Sequence, residues 1–174
     1  MAEVPASVLI TKDNLFVQVH ANVYNLINNR SNVPDPNDDS GNRKFVYVRE
    51  PNYMGTNFAG FPYVQVPYSE YEQGNKTVDA SKAYTSDSFE IIIMTSDKSS
   101  DSEGNPSGAR QMADIKTNIL KTLNNKTNAQ TLRNNGLRNR MFPSVTFDWG
   151  EVDGKHIFRT EFNLMFNNQL RRIA

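Results

Sequence analysis

Along most of this chain the apolar residues recur with a definite period, and the period changes from one stretch to the next. Between Asp13 and Asn29, Leu15, Val19, Val23, Leu26 and Ile27 return at helical spacing, which predicts an amphipathic helix whose stripe needs a partner surface. Thr11 or Asp13 offers an oxygen to the N–H groups of its first turn, and Arg30 suits the partial negative charge at its end. The stretch 31–42 is rich in Asx residues and holds two prolines, so it reads as a loop. A first strand is expected over 44–50, where Phe45, Tyr47 and Arg49 alternate with Val46 and Val48. A second is expected over 61–68, at a sheet edge or with irregular ends, because Pro62 and Pro67 cannot donate to a ladder.

Residues 69–87 carry no clear period and read as a long loop, whereas 88–96 is a strand with an apolar run, Ile91 to Met94, on both faces. The Ser-, Gly- and Asp-rich stretch 97–108 reads as a second polar loop, without calcium-loop spacing. Met112, Ile115, Ile119, Leu120 and Leu123 then predict a second amphipathic helix from Ser107, its candidate cap, to about Asn124. A short third helix, 128–135, would end at Gly136. Two strands close the chain, 143–149 and a long one from His156, joined by the turn signal Asp153-Gly154, with 167–174 expected as a frayed end or contact arm.

These elements predict an α+β fold: a mostly antiparallel sheet of four to five strands with two amphipathic helices packed on one face. One domain over 1–174 is expected, with flexible loops about 31–42, 69–87 and 97–108. In the last strand, Phe158, Phe162 and Phe166 share the face that the helix stripes would cover. The opposite face, with Ile157, Arg159, Glu161 and Met165, has no element left to cover it and would meet water or another subunit.

Composition narrows the chemistry. With no cysteine, disulfides and cysteine-ligated metal or redox sites are excluded. The first residues lack a basic n-region, and no apolar run approaches the length of a bilayer span, so a soluble protein made in the cytoplasm and free of membrane is expected. Phosphate-loop, dinucleotide, Gly-x-Ser-x-Gly and His-Glu-x-x-His patterns are absent. His20 reads as a helix-face residue and His156 as a strand residue near the turn, while Asp148, Glu151 and Asp153 fit strand ends and turn chemistry rather than a catalytic pair. No enzyme, catalytic residue, cofactor or metal is therefore expected. Three Asn-x-Ser/Thr acceptor patterns among 22 asparagines are taken as coincidence.

The zero net charge is uneven along the chain. Residues 1–104 hold 8 Lys+Arg and 14 Asp+Glu, a net of −6, and residues 105–174 hold 11 and 5, a net of +6. If the halves occupy different surfaces, copies can stack acidic face on basic face; if they interleave in the fold, the asymmetry vanishes. The densest basic run, Lys121, Lys126, Arg133, Arg138 and Arg140, would serve phosphate or a neighbouring subunit's carboxylates, and it lacks the aromatic interleaving of a single-strand module.

The N-terminal amphipathic helix, the strands around FVYV and YVQV, the central SFEIIIM, the helix GARQMADIKTNILKTL and the closing PSVTFDW and HIFRTEFNLMF hairpin resemble, in order and length, the tail terminator (tail completion) proteins of long-tailed bacteriophages. The resemblance covers about residues 10–168 and departs from the smaller members at 69–87 and 97–108. It implies a structural virion protein: a hexameric homo-oligomeric ring that caps the head-proximal end of the tail tube. Its partners would be the tail tube protein and a neck or head-completion protein, with DNA passing through the lumen unread. Arg159, Glu161, Arg138 and Arg140 are the candidate subunit-interface residues, and the 69–87 and 97–108 segments are candidates for axial contacts. The alternatives are another neck or minor tail component, or a nucleic-acid-binding module using Lys121 to Arg140.

Overall fold

The computed structural model describes residues 15–38, 41–53, 55–67, 76–79, 82–97, 107–134, 138–141, 146–152 and 155–171. In chain order they form α1 (Leu15–Asn28), β1 (Val46–Tyr47), β2 (Tyr63–Gln65), β3 (Lys76–Asp79), β4 (Lys82–Ser96), α2 (Ser107–Asn124), α3 (Lys126–Asn134), β5 (Arg138–Met141), β6 (Thr146–Val152) and β7 (Lys155–Arg171). The class is α+β, as the alternation of periods requires. Five strands make the main path β1-β2-β4-β7-β5, while β3 pairs with β4 and β6 with β7 off that path. Every pairing is antiparallel except β1 on β2.

The core lies between the sheet and the helices. Val64 pairs with Ile93 and Ile93 with Thr160, and all three are fully buried in one row across β2, β4 and β7. Ile91 and Thr95 lie on the same side by the two-residue period of the strand, and they are buried too. Against them pack Val23 and Ile27 of α1, Met112, Ile115, Ile119 and Leu123 of α2, and Leu132 of α3, the stripes that the spacing predicts. Half-buried Phe158 joins this cluster, so the Phe158 face of β7 is the helix-covered one as expected. Leu15, Val19, Phe162 and Phe166 have backbone positions in α1 and β7; their side chains lie outside the description.

Some helix ends are served by groups the spacing did not single out, while Thr11 and Asp13 lie outside the described residues. Asp97 accepts the Gly108 N–H at 2.8 Å, so an acid just past β4 serves the first turn of α2. Gly108 is required there: a Cβ would meet the Ser96 carbonyl carbon at 2.8 Å, Phe158 Cδ2 at 2.8 Å and the Asp97 nitrogen at 2.9 Å. Asn125, unflagged by the sequence, accepts from the Thr127 N–H at 2.9 Å and so caps α3. Arg30 does not serve the end of α1. Its guanidinium donates to the carbonyls of Asp38 and Arg43, and the α1 terminus is closed instead by Asn32, whose Nδ2 donates to the Leu26 carbonyl at 3.0 Å.

Two expectations need correction. Within 69–87, expected as a loop, Lys76–Asp79 and the first part of β4 are strand, paired through Lys76 with Tyr84 and Thr77 with Ala83. The polar end 167–171 is the last part of β7, with Arg171 opposite Lys82, rather than a frayed arm. Of the two alternatives for 61–68, irregular ends are found and the edge position is not: β2 is an inner strand of three residues flanked by its two prolines, with the Phe61–Pro62 peptide cis and Pro67 two residues past the last ladder residue. His20 lies in α1 as expected and is buried there, with Nε2 2.7 Å from the Val66 carbonyl and its ring stacked on Tyr24. Most of 97–108 and the turn residues Asp153 and Gly154 lie outside the described residues; the pairing of Val152 with Lys155 leaves a two-residue connection there.

The 31–42 segment has no helix or strand among its described residues, but it is held in place. Arg43 donates to both oxygens of Asp35 at 2.7 and 2.6 Å, to the Ala59 carbonyl at 3.1 Å, to the Pro62 carbonyl at 2.6 Å and to the Gly60 carbonyl. A planar five-donor group is used here to tie two irregular stretches together. Asp35 has a fully buried side chain and also accepts the Asn37 N–H at 3.0 Å.

Candidate functional site

The face of the sheet turned away from the helices begins with Tyr47 and Tyr63, whose rings meet edge to face at 5.6 Å. Over Tyr63 folds the irregular stretch 48–61, which brings Tyr53, Phe58 and Phe61 into one aromatic cluster, with Phe61 stacked on Tyr63 at 5.8 Å and Tyr53 set against Phe58 at 5.2 Å. The expectation that this face has no cover from its own chain is therefore corrected at β2. The loop seals that part because its aromatic side chains bury large areas with few residues. Tyr53 remains 44% exposed at the rim, the only exposed large hydrophobic side chain among the described residues.

Farther across the sheet no described loop continues the cover. Tyr63 pairs with Met94 and Met94 with Arg159, so these three positions form one row; Gln65, Ile92 and Glu161 form the next. Met94, Ile157, Arg159, Glu161 and Glu90 are all half-buried, unlike the sealed row on the helix side. Arg159 Nη2 makes an ion pair with Glu161 Oε1, the two side chains being 42% and 21% exposed. Such a pair is open enough to solvent to add no more than about 1 kcal/mol.

The electrostatics of this face follow from crowding. Burial pushes the Glu90 carboxyl above the usual Glu range, a hydrogen bond with Glu161 and that residue's charge push the same way, and Arg159 opposes them. Burial likewise raises the Tyr63 phenol, reinforced by its hydrogen bond to Tyr53 and by the charges of Tyr53 and Glu50, with Arg159 again opposing. Tyr53 is raised by burial and by its hydrogen bond to Glu50. The phenols form a relay: Tyr53 donates to Glu50 Oε1 at 2.6 Å, so Tyr63 donates to Tyr53 at 2.7 Å. Glu50, Glu90 and Glu161 thus share this face with Arg159, the Asp148 position lies opposite Arg159 in β6, and Lys44 stands over the Tyr47 ring at its margin.

Of the interface residues expected from the sequence, Arg159 and Glu161 are brought together. Arg138 and Arg140 are not beside them: they occupy β5, opposite Asn167 and Met165 of β7, six and four residues beyond Glu161. Lys121 and Lys126 are exposed at the end of α2 and the start of α3, and the Arg133 side chain lies outside the description. Asp148 and Glu151 sit in β6 opposite Arg159 and His156, with Glu151 and His156 exposed. Among the described residues no group of three His, Cys, Asp or Glu is placed to hold a metal ion. The sequence reading missed Glu50, Tyr53, Tyr63 and Glu90. Glu90 had a signal, as the one charge abutting the apolar run Ile91 to Met94; the others lie in aperiodic segments that only the fold brings to the sheet.

No protein-family model matches this chain, and no curated protein is significantly similar to it. The chemistry of the face is therefore the guide. Half-buried apolar side chains, an exposed tyrosine and an excess of carboxylate over guanidinium suit recognition of a complementary, cationic protein surface.

Proposed function

We propose that this protein is a structural virion subunit of a long-tailed bacteriophage, a tail terminator that assembles into a homo-oligomeric ring, hexameric by resemblance, on the head-proximal end of the tail tube. The observation that carries this reading is the asymmetry of the sheet. One face is sealed by three helices, while the other, from Met94 to Glu161, is left half-open by its own chain with mixed apolar and charged groups. A face of that composition is what a subunit presents to its neighbour: apolar enough to associate, charged enough to set the partner and the register.

The mechanism is one of shape and charge. The ring matches the last layer of the tube on one side and differs on the other, so tube growth stops and neck proteins find a new surface, with DNA passing through the lumen without base readout. The test is negative-stain imaging and light scattering of the purified chain, alone and with tubes of the same phage's tail tube protein. Rings, and tubes capped at one end that no longer elongate, are expected. A chain that stays monomeric with and without tubes, while the tubes keep growing, would overturn the reading.

A further inference from the structure

We draw no further inference here: the strongest candidate, the side-chain cluster of Glu90 and Glu161 around Arg159 on the half-open face of β4 and β7, belongs to the site already described and shares its sheet face with the Arg140 position, and nothing in the structure shows what covers it.

Discussion

Arg43→Met removes a guanidinium and keeps most of the apolar stem, and it asks whether the loop 31–42 is held by one ion pair. In the folded chain that guanidinium makes two hydrogen bonds to Asp35 and reaches three main-chain carbonyls, at Ala59, Gly60 and Pro62. The Asp35 side chain has no exposure to water, and without Arg43 its nearest cation is Arg30 at 3.5 Å. Removing one partner of a buried pair costs about 3–5 kcal/mol where the other charge is left uncompensated, against about 0–1 kcal/mol at the surface, and because Arg30 still opposes Asp35 the loss should fall at the lower end, about 3 kcal/mol. Because a domain of ordinary stability has about 5–15 kcal/mol in total, the variant should lose about a fifth of it or more. Urea unfolding followed by far-ultraviolet circular dichroism measures the change. Asp35→Asn, which leaves Arg43 its carbonyl partners, should cost less, about 1–3 kcal/mol. The double variant should fall well short of the sum of the two losses, since the uncompensated charge is gone. A loss below 1 kcal/mol for Arg43→Met, at an unchanged denaturant slope, would refute the claim that this pair anchors the loop.

Gly108→Ala forces a methyl against the Ser96 and Asp97 backbone at 2.8 and 2.9 Å, and should destabilise by about 1–3 kcal/mol in the same unfolding assay, since backbone cannot yield as a side-chain tip does. Thr160 is fully buried and its hydroxyl has no hydrogen-bond partner among the described residues, so Thr160→Val should stabilise by about 1 kcal/mol; a loss in calorimetry would reveal a partner for that oxygen. The folded chain holds the Glu90 proton more tightly than the unfolded one does, so its contribution is favourable at low pH and is lost as pH climbs from the ordinary Glu range through the raised value. Unfolding titrations across that window should show stability falling with pH through Glu90, and Glu90→Gln should flatten the fall; an unchanged profile would mean the carboxyl is not perturbed.

What the sequence made legible follows the range over which each interaction acts. The helices were legible because their stripes repeat within one element, and Val23, Ile27, Met112, Ile115, Ile119 and Leu123 are all buried where the spacing puts them. Ile157 and Arg159 were likewise readable as residues facing away from the helices, since alternation along a strand needs no knowledge of its neighbours. β3 and the start of β4 were not, because KTVD and KAYTSDS have no apolar alternation and owe their strand conformation to pairing with each other and with β7. Nor was the cover over Tyr63, since Tyr53, Phe58 and Phe61 come from an aperiodic loop and reach one ring only after that loop closes. The candidate site lies in this second category. Arg159 and Glu161 are two apart on one strand and so were visible, whereas their contact with Glu90 depends on the β4–β7 register, in which Ile92 faces Glu161. A shift of one residue would carry Glu90 to the helix side among Val64, Ile93 and Thr160, where an unpaired carboxylate would cost several kcal/mol. The apolar residues that seal the core therefore also decide where the charge on the open face stands.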